Sequence, residues 1–165
     1  MFWRKPLYNQ YQSANINWEL TKKCIREKIE CFPVVTQGFI GCTSENFTTT
    51  LGREGSDFTA AVLANVLNAE QVIIWKDVEG VLNADPRFFS ENNLIKQLSF
   101  TDAIELAYYG AKVIHPKTIQ PLKEKKIPLH VRSFKDVNKS GTIINSEINN
   151  KKKPSYIVKE NQVLI

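Results

Sequence analysis

The stretch 48–87 decides how this chain is read: TTTLGREGSDFTAA at 48–61, QVIIW at 71–75 and KDVEGVLNADPR at 76–87. A short apolar strand running into a Gly- and Asp-rich loop, and a helix opening just after a Gly-Ser-Asp turn, are the devices by which α/β proteins meet a phosphate or carboxylate. They aim backbone N–H groups and a helix dipole at the anion. Arg53, Ser56, Asp57, Asp77 and Arg87 are expected to gather with the loop glycines around one anion-handling cleft.

Working outward, Asn17 is placed to cap a helix over 18–30, where Leu20, Cys24, Ile25 and Ile29 follow helical spacing. The run VVTQGFIG at 34–41 reads as a buried strand ending at Gly38 and Gly41. Residues 58–67 read as a helix with Ala60, Ala61, Leu63, Ala64 and Leu67 turned inward and Asp57 as its N-cap. The continuous apolar strand 72–75 is of the kind covered on both faces. Ser99, three residues before Asp102, opens a helix to 109 that Gly110 stops. Pro116 and Pro121 flank or begin another helix, with Leu122 on its apolar side, and strands follow at 127–131 and 141–144. Strands alternating with helices indicate an α/β sheet with parallel neighbours.

Composition sets the outer limits. A chain of 165 residues suits one domain, or a domain plus part of another, and 42% hydrophobic with 24% charged residues is ordinary for a soluble protein. No apolar run approaches a membrane span and MFWRKPLYNQ has no signal-peptide core, so the expectation is a cytoplasmic protein with no membrane partner. Cys24, Cys31 and Cys42 form an odd set without CxxC spacing or a neighbouring His, which predicts reduced structural thiols and no metal site. The net charge of +5 is spread over Lys22, Lys23, Lys28, Lys123, Lys125, Lys126 and the run 151–153. Nucleic-acid grooves gather their lysines on one face beside stacking aromatics, so no nucleic acid is expected. The polar run 145–153, closed by Pro154, reads as a linker, and the strand-like SYIVKENQVLI at 155–165 has no partner.

Five motifs in order, VVTQGFIG (34–41), TTTLGREGSD (48–57), IWKDVEGVLNADPR (74–87), AIELAYYGAKVIHPKT (103–118) and IPLHVRS (127–133), resemble the C-terminal half of the kinase domain of aspartate kinases, within the amino acid kinase family. The resemblance implies a three-layer α/β/α sandwich with a mostly parallel sheet, incomplete at its N-terminus. It also implies an N-terminal extension and helix at 1–31, the nucleotide- and aspartate-binding portion at 32–145, a linker at 146–154, and the first strand of an ACT regulatory domain at 155–165. The family's reaction moves the γ-phosphoryl of ATP, with Mg2+, to the side-chain carboxylate of L-aspartate. Its members commonly form homo-oligomers through the regulatory modules.

By the same resemblance, Arg53 and Ser56 bind the substrate, Asp57 and Lys112 are catalytic, and Lys76, Asp77, Leu82, Arg87, Lys112 and Val113 contact the nucleotide. An Arg fork suits the aspartate α-carboxylate, and an ammonium such as that of Lys112 can neutralise charge on the transferring phosphoryl. Standing alone, Lys112 would be read as a solvated surface lysine, His115 as a turn residue and Glu105 as a plain helix residue.

Departures from the family pattern are also present. Lys76 stands where many relatives have Thr, Leu82 where an aromatic ring often meets the nucleotide, and Glu54 where a glycine would ease a turn with positive φ. The family's Lys-Phe-Gly-Gly-Thr-Ser loop is absent from the sequence, so the expectation is a fragment with weak or no kinase activity. Two alternatives stay open: a non-catalytic nucleotide-binding or interaction remnant, and a related kinase acting on another acid.

Overall fold

The computed structural model describes residues 2–4, 14–29, 33–43, 45–111 and 113–147. The chain divides into two compact units, Met1–Ala69 and Glu70–Ile165. Among the described residues, no helix is long and apolar enough to cross a membrane.

In the first unit, strands β1 (Phe2–Arg4), β2 (Asn15–Ile16), β3 (Ile40–Thr43) and β4 (Thr48–Thr50) form a sheet in the order β2-β1-β3-β4. Only the β1–β3 pair is parallel. Asn17 caps helix α1 (Trp18–Lys28) as expected, its side chain accepting from the Leu20 N–H at 3.1 Å. Helix α2 (Gly55–Leu67) buries Phe58, Val62 and Val66 in one cluster with Ala14 and Leu51, against which Ile16 and Ile25 pack. Burial of side chains of this size stabilises by about 1.5–3 kcal/mol each.

Three expectations for this unit are corrected. Residues 34–38 form no strand, and Val35 is 100% exposed; the left-handed φ of 73° at Phe39 breaks the run, so the strand begins only at Ile40. Helix α2 starts at Gly55, which puts Asp57 in its first turn and leaves the N-cap position to Glu54. Its inward face is carried by Phe58, Ala61, Val62, Ala64, Asn65 and Val66, with Leu63 and Leu67 only half-buried.

In the second unit, β5 (Val72–Lys76), β6 (Gln97–Ser99), β7 (Leu129–Ser133) and β8 (Thr142–Asn145) form a sheet in the order β5-β7-β8-β6. The pairs β5–β7 and β6–β8 are parallel and β7–β8 is antiparallel. With three parallel and three antiparallel pairings among the described residues, the sheets of this chain are mixed. Helix α3 (Phe100–Tyr108) packs on β6, β8 and helix α4 (Pro116–Lys125). Ser99 caps α3 through the Asp102 N–H at 3.0 Å, and its hydroxyl donates to Asp102 Oδ2 at 2.8 Å. His115 is the turn residue expected of it, its Nδ1 accepting from the Lys117 N–H at 3.1 Å to cap α4.

Val72, Ile74, Leu129, Val131, Ile144 and Leu98 alternate along the strands as the buried face. The other face is not sealed, contrary to the expectation for 72–75: Ile73 is 39% and Trp75 44% exposed. On that face His130 is paired in register with Ile73, and Arg132 with Trp75. Partial burial, and then the Arg132 charge, hold the His130 pKa below its ordinary value of 6.5.

Thr142 fastens the long 77–96 segment to this sheet. Its hydroxyl accepts from the Val81 N–H at 2.9 Å and donates to the Ile95 carbonyl at 2.7 Å, and the residue is fully buried. Thr142→Val keeps the shape but strands both backbone groups, so urea unfolding should show a loss of about 2 kcal/mol; an unchanged midpoint would mean that water satisfies both groups.

Candidate functional site

The first group of site residues is built by one backbone bend. Gly52 and Glu54 take left-handed φ of 79° and 53°, and the Gly55 N–H closes on the Gly52 carbonyl at 3.1 Å. This double bend turns Arg53, Ser56 and Asp57 to the N-terminal end of α2. The 38–39 segment backs the bend closely: a Cβ on Gly38 would lie 3.1 Å from Ser56 Cα, and one on Gly55 would lie 2.8 Å from the Phe39 ring. Thr59 locks the two pieces together, accepting from the Phe39 N–H at 3.0 Å and donating to the Gly55 carbonyl at 2.8 Å.

Helices α1, α3 and α4 are each closed by a side-chain cap, but the N-cap of α2 makes no side-chain hydrogen bond. The positive end of its dipole thus meets no capping side chain at Glu54, and the Asp57 carboxylate stands in its first turn. Arg53 and Ser56 are exposed there and Asp57 is half-buried.

Glu54 carries strain at this bend. It is a non-glycine residue in left-handed backbone, as its place in the motif suggested, and its Oε2 is buried with no hydrogen-bond partner among the described residues. Glu54→Gly should therefore raise stability by about 1 kcal/mol, read as a higher melting temperature. A lower value would show that the Glu54 side chain makes contacts that outweigh the strain.

The second group lies in the second unit. Lys76 ends β5 and Asp77 stands exposed just beyond it, at the carboxyl end of a parallel strand where α/β sheets open to ligands. Leu82 forms an isolated bridge with Leu94, which makes 81–95 a hairpin-like excursion, and the Ile95 N–H bonds the Val81 carbonyl at 2.9 Å. Within it Arg87 is exposed, its guanidinium held by Asp85 with Nη2–Oδ2 at 2.7 Å. Val113 is half-buried in the turn before α4. Lys112, Cys31, the 151–153 lysine run and the 155–165 strand lie outside the described residues. Cys24 and Cys42 are both half-buried.

Neighbouring residues that the sequence did not single out complete the second group. The Phe134 N–H donates to the Lys76 carbonyl at 2.9 Å, which sets a 57% exposed ring beside the strand end. Arg132 lies 5.2 Å over the Trp75 ring and its Nη2 donates to the Val137 carbonyl at 2.8 Å, holding the 134–140 loop down. Lys139 of that loop pairs with Glu79, and the Glu79 carboxylate holds the Lys139 pKa above its ordinary value. The signal for Phe134 was present as the alternation of LHVRSF, one residue past the IPLHVRS motif.

This α/β architecture with mixed sheets has counterparts among known proteins. The amino acid kinase family model matches residues 5–133. The chain is 47% identical over 117 residues to lysine-sensitive aspartokinase 3 of Escherichia coli strain K12, covering 71% of this chain and 26% of that protein. It is 46% identical over 115 residues to the chloroplastic bifunctional aspartokinase/homoserine dehydrogenase of Daucus carota, covering 70% of this chain and 12% of the relative. The crystal structure of E. coli aspartokinase III in complex with aspartate and ADP matches with a TM-score of 0.83 and 37% identity, over 91% of this chain and 34% of that one. The chain belongs to the amino acid kinase family. It spans between 12% and 34% of the length of these relatives.

Proposed function

We propose that this chain is the aspartate- and nucleotide-binding portion of an aspartate kinase, which transfers the γ-phosphoryl of ATP to the β-carboxylate of L-aspartate. The product is 4-phospho-L-aspartate, at the entry to lysine, threonine and methionine synthesis. The observation that carries the reading is the uncapped N-terminus of α2, which opens directly behind Arg53 and beside Ser56 while every other helix among the described residues is capped by a side chain. Similarity to proteins named as aspartokinases supports aspartate as the substrate. One matching structure is described as holding aspartate and ADP.

Phosphoryl transfer to a carboxylate passes through a loose transition state, so positioning and charge neutralisation supply the catalysis and no side-chain nucleophile is needed. Arg53 takes the aspartate α-carboxylate as a two-pronged fork, Ser56 adds a neutral donor, and Asp57 aligns positive charge at the reacting centre. On the second unit, Lys76, Asp77, Leu82, Arg87 and Val113 hold the nucleotide, and Lys112 neutralises charge on the moving phosphoryl. Mg2+ would arrive on the nucleotide phosphates, since it keeps several waters and takes few protein ligands. When bound, it neutralises phosphate charge. The reading includes a cytoplasmic, homo-oligomeric whole protein and an ACT module beginning at 155–165.

A second reading, a nucleotide-binding remnant without catalysis, is favoured by Glu54, whose carboxylate opposes an anion at the bend. Hydroxamate formation from aspartate, ATP and hydroxylamine separates the two. Joined to the part of the E. coli aspartokinase 3 kinase region that it does not match, the chain should support that reaction. Arg53→Ala should raise the aspartate KM by more than about tenfold while moving the ATP KM little. An unchanged aspartate requirement removes Arg53 from the substrate site, and an inert chimera of intact fold favours the remnant.

A further inference from the structure

We infer that Asp85 is a positioning residue that holds the Arg87 guanidinium in the orientation needed to meet the nucleotide; the inference rests on the nucleotide-site reading above. Asp85 does two separable things. Its backbone carbonyl accepts from the Phe88 and Phe89 N–H groups at 3.1 and 3.0 Å, and its Oδ1 accepts from the Arg87 N–H at 2.9 Å, which together close the 85–89 turn. Its carboxylate also spans one edge of the guanidinium, with Nε to Oδ1 and Oδ2 at 3.1 Å each and Nη2 to Oδ2 at 2.7 Å. The turn is closed without this second set of bonds.

What the two-pronged contact adds is the direction of an otherwise water-exposed side chain. The guanidinium is planar with its donors in a fixed fork, so a carboxylate on the Nε–Nη2 edge sets the plane of the whole group. The Phe88 ring, 5.5 Å from the Arg87 carbon, supports the same plane. A long side chain whose plane is already fixed loses less freedom when ligand arrives, which strengthens binding. The sign of the effect is diagnostic, because a carboxylate beside a phosphate site repels the ligand. Asp85 helps binding only if orientation outweighs that repulsion.

A double-mutant cycle on the 165-residue chain, read as the Kd for Mg-ADP by calorimetry, tests this. Asp85→Asn keeps an oxygen for the Arg87 N–H, so the turn stays closed while the ion pair is lost. Arg87→Ala should weaken binding about tenfold and Asp85→Asn about fivefold, with the double variant no weaker than Arg87→Ala alone. The Arg87 Nε–H resonance should be protected from solvent exchange in the parent chain and lose that protection in Asp85→Asn, with the melting temperature unchanged. If Asp85→Asn melts early, Asp85→Ser, whose hydroxyl can serve the same turn, repeats the cycle.

Additive losses, or equal or tighter binding in Asp85→Asn while Arg87→Ala is weakened, overturn the inference and leave the nucleotide reading standing. A parent chain that does not bind Mg-ADP, or an Arg87→Ala variant that binds it like the parent, overturns both.

Discussion

The five-residue parallel pairing of Val72–Lys76 with Leu129–Ser133 is the constraint on which the second unit depends. Because the strands run the same way, both carboxyl ends finish on one edge of the sheet, and the segments leaving them emerge side by side. Every notable contact at that edge follows from the register. Lys76 lies opposite Ser133, the N–H of Phe134 just past β7 reaches the Lys76 carbonyl, and the Trp75–Arg132 pair sits one step below. Slipping the pairing by one residue would exchange the Val72 and Ile74 face for the Ile73 and Trp75 face, so burial of the apolar residues protects the arrangement of that edge as well as the fold.

A different kind of constraint governs the first unit, where the backbone itself is bent against preference. Positive φ at Phe39, Gly52 and Glu54 falls on the two segments that meet at the start of α2. Two of the three are side-chain-bearing residues, and such conformations persist only where surrounding contacts over-determine them. Here Thr59 and the close approach of Gly38 and Gly55 supply those contacts. The strain is concentrated at the one helix start among the described residues whose N-cap makes no side-chain bond.

Much of this was legible from local chemistry. Asn17 and Ser99 were readable as caps because the bonds they make span three residues, and Gly110 as a stop because of its backbone freedom, seen as φ of 121°. Arg53, Ser56 and Asp57 could be grouped because they lie within one turn of sequence. The reading failed where longer-range geometry decided. VVTQGFIG is apolar enough for a buried strand, yet its first half lies exposed because the chain turns left-handed at Phe39. The strands Thr48–Thr50 and Gln97–Ser99 are too short to show a period, and their pairing with β3 and β8 creates them. Phe134 escaped notice because only the cross-strand register brings it to Lys76, and Asp85 because its grip on Arg87 requires the turn to exist first.

The link between Glu79 and Lys139 joins two segments that the sheet edge merely sets next to each other. Both partners stand largely in water, where a charge pair contributes little and dissolved ions weaken it further. Added salt therefore loosens this one tie, while the Arg132 bonds to the Val137 and Lys139 carbonyls keep the loop against the sheet edge.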